Sequence, residues 1–272
     1  MKIAALQMVS TPSVARNLER ARELIAQAAG DGAQLVALPE YFCFMGATDR
    51  DKLDIAEAAG DGPIQQALAG AARQHGVWII GGTLPIRIDG DCDHAFNASC
   101  VYAPDGTLAA RYDKIHLFRY DNGRERHDEG RVLRAGTQAV AFQAGPLRVG
   151  LSICYDLRFP ELYRALSFTP GQPPCDLLAV PAAFTYPTGQ AHWELLLRAR
   201  AVENQCYVIA AAQGGVHENG RRTWGHSMVI DPWGEVLAVL PEGEGAVLAE
   251  LDPARIASVR AQLPALEHRL SF

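Results

Sequence analysis

Apolar and polar positions along this chain switch repeatedly between the period of a strand and the period of a helix. Residues 2–9 form an almost unbroken apolar run of strand length, stopped by Ser10-Thr11-Pro12. Val14, Leu18, Ala21, Leu24, Ile25 and Ala28 then recur on one helical face, with Ser13 placed to cap the helix. Residues 34–38 read as a strand ending at Pro39-Glu40, residues 63–75 as a helix and residues 77–84 as a buried strand, so the opening is β-α-β-α-β. A hairpin is expected next, with strands over 97–103 and 107–112 around the turn Pro104-Asp105-Gly106.

Residues 118–136 show no periodicity, and a connection that long implies a functional loop or local disorder. Strands are predicted over 147–153 and 176–180, and Pro160 stands where a proline commonly begins a helix. A helix over 193–204 has Leu196, Leu197 and Val202 as its expected inner face. Four more strands follow, over 206–212, 226–231, 235–240 and 246–251, and a helix over 253–263 closes the pattern. Roughly a dozen strands with a handful of helices imply an α/β fold of two sheets packed together and covered by helices.

Composition narrows the partners. At 272 residues and 49% hydrophobic, the chain has ample material for a core, and no linker or charge block divides it, so one domain over 1–272 is expected. Lys and Arg total 25 against 31 Asp and Glu, a balance of 25 − 31 = −6, which argues against a nucleic acid or an anionic membrane as partner. The opening apolar run is interrupted at Gln7, unlike a signal peptide, and no later run approaches the ~18 residues of a membrane span. A cytoplasmic location is therefore expected. Six irregularly spaced cysteines then remain thiols, most of them acting as small core hydrophobes.

Three side chains stand out chemically. Cys154, in Ser152-Ile153-Cys154-Tyr155-Asp156, falls at a strand-to-helix corner, where a thiol faces a cleft and the following N–H groups can hold an oxyanion. Lys114 is one of only three lysines in an arginine-rich chain and ends a hairpin strand, where a compact ammonium is wanted or a surface lysine is merely tolerated. Glu40, between Pro39 and the aromatics Tyr41 and Phe42, is expected to be partly desolvated, its pKa raised toward the range useful for proton transfer. Each residue alone has an unremarkable alternative. Together they place a Cys, a Lys and a Glu at strand termini, where α/β folds gather functional groups.

The motifs Leu38-Pro39-Glu40, Tyr112-Asp113-Lys114-Ile115-His116-Leu117 and Cys154-Tyr155-Asp156-Leu157-Arg158-Phe159-Pro160-Glu161 resemble those of the nitrilase superfamily of carbon–nitrogen hydrolases. The segments at 191–194, 198–207 and 225–234 resemble the branch that contains deaminated glutathione amidase and ω-amidase. The resemblance implies a four-layer α-β-β-α sandwich of two mixed sheets covered by helices. It implies a homodimer formed through the helices near the Cys motif and near 193–204. It also implies a catalytic triad at Glu40, Lys114 and Cys154, with Glu129 as a second glutamate.

On that footing the expected chemistry is hydrolysis of a small carboxylate-bearing amide through a Cys154 thioester. Glu40 moves the proton, and Lys114 with a backbone N–H near Tyr155 stabilises the oxyanion. The ammonium is also expected to favour the thiolate. Arg158 either forks onto a substrate carboxylate or forms a salt bridge with Asp156 or Glu161. Phe184 and Thr188 match positions that line the acyl pocket in related amidases. Arg119, Arg124, Arg126, Arg131 and Arg134 either attract an anionic substrate or, interleaved with acids, form a solvated surface.

Other readings stay open. A Cys-His hydrolase needs His116, His192 or His226 beside Cys154, and His116 is also a candidate core residue that fixes Lys114. Cys92, His94 and Cys100 supply only three potential zinc ligands without a paired C-x-x-C, so no metal is expected, and no cofactor is implied. A phosphate-binding glycine loop is missing from the sequence. A binding scaffold without catalysis is the non-enzymatic alternative.

Overall fold

The computed structural model describes residues 1–121, 123 and 126–270. Its first strand, Lys2–Gln7, shows how the layers arise. Successive side chains leave a strand on opposite faces. Ile3 and Ala5 fall into one apolar cluster, while Ala4 and Leu6 fall into another. The strand Leu35–Ala37 repeats the division, with Leu35 and Ala37 on one side and Val36 on the other. Burial on both faces is the reason residues 2–9 read as a continuous apolar run and not as an alternating one.

Helices α1 (Val14–Gly30) and α2 (Pro63–His75) cover one of those faces, contributing Leu18, Leu24, Ile25, Ile64, Leu68 and Ala72. The other face meets Val149, Leu151 and Leu177 of a second sheet. Leu162 and Leu166 of helix α3 (Pro160–Ser167), with Trp193 and Leu197 of helix α4 (Tyr186–Asn204), join that same cluster. The layers therefore run helices, sheet, sheet, helices, an α-β-β-α sandwich. Helix α5 (Pro253–Gln262) adds Ile256 to the shared core.

Among the described residues the first sheet has eight strands, in the order Gly245–Glu250, Lys2–Gln7, Leu35–Ala37, Trp78–Ile80, Asp91–Tyr102, Leu84–Ile88, with Leu108–Asp113 and Leu133–Arg134 also paired to Asp91–Tyr102. The second has six, in the order Ala141–Ala144, Leu147–Leu151, Leu177–Ala179, Tyr207–Ala210, Ser227–Ile230, Val236–Leu240. Both are mixed: Lys2–Gln7, Leu35–Ala37 and Trp78–Ile80 run parallel, as do Leu147–Leu151, Leu177–Ala179 and Tyr207–Ala210, with antiparallel neighbours outside. Among the described residues no helix is long and apolar enough to cross a membrane.

Several boundaries differ from the sequence expectation. The strand expected over 77–84 is two strands, Trp78–Ile80 and Leu84–Ile88, because Gly81 and Gly82 break it. Gly82 has φ +53°, and a Cβ there would lie 2.1 Å from the Pro39 carbonyl oxygen, so a turn passes beneath Pro39 that only glycine permits. The aperiodic stretch contains a short hairpin, Arg119–Asp121 with Arg126–Asp128, whose three-residue strands are too brief to show a period. Helix α4 begins at Tyr186, earlier than expected, with Pro187 in its first turn. Its inner face is Gly189, Trp193, Leu197, Arg200, Ala201 and Asn204; Val202 is 49% exposed and Leu196 only half-buried. An arginine and an asparagine on the buried side defeat a count of apolar residues.

Ser13 caps α1 as expected, its hydroxyl accepting from Arg16 N at 3.4 Å.

Candidate active site

Each chemically distinctive side chain stands where a strand gives way to a turn. Glu40 follows Leu35–Ala37, and its approach is fixed by the close passage of Gly82 under Pro39. Lys114 follows Leu108–Asp113, with its N–H donating to Asn97 O at 3.0 Å and its carbonyl accepting from Gly136 N at 2.8 Å. Glu129 opens a 3-10 turn, Glu129–Arg131. Cys154 opens another, Cys154–Arg158, directly after the second-sheet strand Leu147–Leu151, and holds φ +49°. A side chain in that left-handed region is uncommon and signals a backbone constrained by its surroundings. One constraint is the Cys154 N–H, which donates to Pro181 O at 2.8 Å.

Asp156 locks this corner to the lysine segment. Its buried carboxylate accepts from Tyr112 Oη at 2.7 Å, from Ile153 N at 2.8 Å and from His116 N at 3.0 Å, and it meets His116 Nδ1 at 2.7 Å. The His116 ring stacks on Phe159 with centroids 3.7 Å apart. His116 therefore ties the segment after Lys114 to the Cys154 turn through Asp156.

The four candidate catalytic residues converge. Lys114 Nζ donates to Glu40 Oε1 at 2.9 Å and to Glu129 Oε2 and Oε1 at 2.8 and 3.1 Å, and all three side chains are buried. Glu40 Oε1 also accepts from Asn97 Nδ2 at 2.9 Å, and Oε2 from Ala183 N at 3.0 Å. Glu129 accepts further from Phe118 N at 2.7 Å and from the Tyr41 hydroxyl at 2.7 Å, and Lys52 Nζ lies 3.5 Å behind that hydroxyl.

Charge in this cluster follows from burial set against pairing. Burial disfavours the Lys114 ammonium, yet the Glu129 and Glu40 carboxylates outweigh it and hold its pKa above the ordinary lysine value. Burial likewise opposes the Glu129 carboxylate, but Lys114 and then Lys52 bring its pKa down to about 2. Cys154 goes the other way. Burial, and then the Glu40 carboxylate, push the thiol well above its ordinary value, and the opposing pull of Lys114 is too weak to reverse them. Lys114 does favour the thiolate, as expected from sequence, but burial and Glu40 outweigh it, so the resting sulfur keeps its proton beside the Glu40 carboxylate.

Cys154, Glu40 and Glu129 open onto a cavity of about 20 Å³, room for a single water. Tyr155, Arg158, Phe184 and Thr188, all expected to contact substrate, line the same cavity, with Phe118 opposite. Arg158 forms neither of the salt bridges considered from sequence: Asp156 is engaged by Tyr112, Ile153 and His116, and no ion pair joins Arg158 to Glu161. Its guanidinium lies over the Phe184 and Tyr155 rings, and Nη1 meets His192 Nδ1 at 3.3 Å. The N–H of Tyr155, in the first turn of its helix, is of the kind left without an intrahelical acceptor.

No histidine lines this cavity among the described residues. His116 is held by Asp156, His192 faces Arg158, and His226 stacks on Trp224 with its Nδ1 on Trp224 O at 2.9 Å, so the Cys-His alternative has no partner in place. Cys92 and Cys100 stand on the single strand Asp91–Tyr102, about 26 Å apart at the ~3.3 Å rise of a strand, which separates the residues of the zinc alternative. Among the described residues no three His, Cys, Asp or Glu groups gather as a metal site. Of the arginines in the aperiodic stretch, Arg131 and Arg134 are exposed and paired with Asp128 and Asp91, Arg119 is exposed, Arg126 lines a separate open basin, and Arg124 lies outside the described residues.

Sequence reasoning missed Asn97, the Ala183 N–H, Tyr41 and Lys52 as partners of the glutamates, and Arg221 as a cavity residue. Tyr41 alone carried a signal, its place beside Glu40. The others converge only through tertiary structure.

Comparison with known proteins gives concordant results. The sequence model of the carbon-nitrogen hydrolase family matches residues 2–261. The chain is 44% identical over 270 residues to a deaminated glutathione amidase of Synechocystis, covering 98% of this chain and 97% of that one. It is 37% identical over 271 residues to the omega-amidase NIT2 of Homo sapiens, covering 99% and 95%. Among solved structures, Nit3 of Saccharomyces cerevisiae, a member of branch 10 of the nitrilase superfamily, superposes with a TM-score of 0.87 at 32% identity, covering 100% of this chain and 97% of that one.

Proposed function

Since the chain belongs to the carbon–nitrogen hydrolase family, we propose that it is an amidase in which Cys154, Glu40, Lys114 and Glu129 hydrolyse a small carboxylate-bearing amide, with deaminated glutathione as substrate and 2-oxoglutarate and cysteinylglycine as products. The observation that carries this reading is the buried meeting of the four side chains at one small cavity.

The thiol of Cys154 attacks the amide carbon as its proton passes to Glu40, which suits a sulfur that is neutral at rest. The oxyanion gains from the Lys114 charge and the Tyr155 N–H. Glu40 hands the proton to the leaving nitrogen, the C–N bond breaks and a thioester remains. Water then gives its proton to Glu40 as it attacks the thioester; the carboxylic acid leaves and the thiol is restored. Glu129 holds Lys114 in place and balances its charge. Arg158, free of carboxylate partners among the described residues, takes the substrate carboxylate at the acyl end, and Phe184 and Thr188 bound the acyl chain.

The omega-amidase relatives support a second substrate, 2-oxoglutaramate, with ammonia as leaving group. The two readings separate in one experiment: kcat/KM for deaminated glutathione and for 2-oxoglutaramate on the pure protein, with Cys154→Ala as blank. A preference for 2-oxoglutaramate selects ω-amidase, and turnover of neither, with hydrolysis of a simple aliphatic amide, overturns the branch.

The chain is read as one hydrolase domain acting as a homodimer. Leu195 and Val202 on the outer side of α4 are 68% and 49% exposed, and nearby Trp233 is 54% exposed, an apolar surface of the kind dimers cover. Six free cysteines support a reducing, cytoplasmic setting.

A further inference from the structure

Beside the small catalytic cavity lies an open basin of about 470 Å³, and the two share Thr185 and Arg221 in their walls. Among the described residues the basin's lysine and arginines are Lys52, Arg126, Arg221 and Arg222, against the single carboxylate of Asp49. Three of the four already have acids: Lys52 pairs with Asp49 at 3.1 Å, Arg222 with Glu242 at 3.2 Å and Arg126 with Asp121 at 3.9 Å. Arg221 has no carboxylate partner among the described residues. Its Nη2 donates to Ala183 O at 3.2 Å, and its Nε is buried with no acceptor among the described residues. A buried donor left without an acceptor on a half-buried guanidinium is costly unless an anion arrives to pair with it.

The position of Arg221 says which end of a substrate it faces. The Ala183 N–H donates to Glu40 Oε2, and the Ala183 carbonyl accepts from Arg221, so a single residue separates the guanidinium from Glu40, whose carboxyl group, once it has taken the thiol proton, protonates the leaving nitrogen. A leaving amine resting against Glu40 therefore extends past Arg221 into the basin. Arg158, by contrast, lies over the Phe184 and Tyr155 rings and serves the acyl end.

Resting on the amidase reading, we propose that Arg221 and the basin beyond it form a leaving-group subsite for an amine that ends in a carboxylate, such as an amino acid or a dipeptide. The chain would then read two carboxylates on one substrate, one on each side of the scissile bond. Ammonia as leaving group uses none of this surface.

The test is a matched pair of substrates: 2-oxoglutarate joined through its side-chain carbonyl to cysteinylglycine, and the same compound with its C-terminal carboxylate converted to a carboxamide. The wild-type protein is expected to favour the carboxylate by about ten- to a hundredfold in kcat/KM, the range for a hydrogen bond to a charged group. Arg221→Met is expected to bring that ratio close to one. A wild-type ratio near one, or an undiminished ratio in Arg221→Met, overturns the subsite, and the wild-type comparison decides even if the variant does not fold. Cys154-dependent turnover of 2-oxoglutaramate at a ratio of one removes the subsite alone. Absence of Cys154-dependent turnover of every amide removes the amidase reading, and the subsite with it.

Discussion

Lys114 Nζ donates to Glu40 Oε1 at 2.9 Å, and both side chains are buried. With Glu129 on its other side, the ammonium is the one cation between two buried carboxylates. Such a group stabilises the fold only as a complete set, since removing one member strands the charge of the others.

Lys114→Met should therefore cost about 3–5 kcal/mol of stability as well as activity. Lys114→Arg keeps the charge but replaces a compact ammonium by a planar fork. It is expected to recover part of the lost Tm and little of the kcat. Full activity in Lys114→Arg would show that a point charge is not what the site requires.

Glu40→Gln leaves a similar shape but nothing that can take the thiol proton, and kcat should fall by about 10²–10⁴. Iodoacetamide labelling followed by peptide mass spectrometry gives a second readout. In the wild type Cys154 should react faster than buried Cys43 and Cys175, and in Glu40→Gln that advantage should vanish. Equal labelling of the three cysteines in the wild type would favour the non-catalytic scaffold.

The acid side of the stability profile belongs partly to Glu129. Its pKa is depressed from 4.5 to about 2, so its ionised form stabilises the fold fully above 4.5, and that contribution is lost as pH falls toward 2. Glu129→Gln lacks it at every pH. The Tm difference between wild type and variant should be largest near neutrality and shrink on acidification through this window. A difference that stays constant would mean that the ion pair with Lys114 is not its source.

Gly82→Ala tests the support beneath Glu40. The residue sits at φ +53°, and a Cβ would press on the Pro39 carbonyl at 2.1 Å. The expected result is a stability loss of about 1–3 kcal/mol with a fall in kcat larger than any rise in KM, because Glu40 is displaced while the Arg158 wall is untouched. An unchanged kcat would show that the turn adapts without moving Glu40.

Leu195→Asp with Val202→Asp tests the association surface. Both side chains point outward from α4, so folding should be preserved. Sedimentation is expected to give a dimer for the wild type and a monomer for the variant. An unchanged dimer would place the interface elsewhere.

The parts legible in the sequence were those that local chemistry dictates. The Ser13 cap and the Pro104-Asp105-Gly106 turn follow from residues within a few positions of one another. The strand-end position of Glu40 was legible because Pro39 directly follows an apolar strand, and that of Lys114 because it follows the second strand of a recognisable hairpin. The break at Gly81-Gly82 was not, since its cause is Pro39, some forty residues earlier in the chain. Arg200 and Asn204 were not among the expected inner-face residues for a related reason: their partners, Leu157 O and Ser167 Oγ, come from a different segment. The lysine's pull on the thiol was legible, but the larger opposing effect of burial was not, because sequence shows that a cation is near but not how deeply the sulfur is buried.

The left-handed backbone at Cys154 limits what else can stand there. Serine or alanine, unbranched at Cβ, should fit φ +49° at little more strain than cysteine already bears, whereas threonine crowds its own main chain in that conformation. The choice of attacking atom at this corner is thus narrowed by torsion before reactivity enters: a primary hydroxyl is admissible, a secondary one is not.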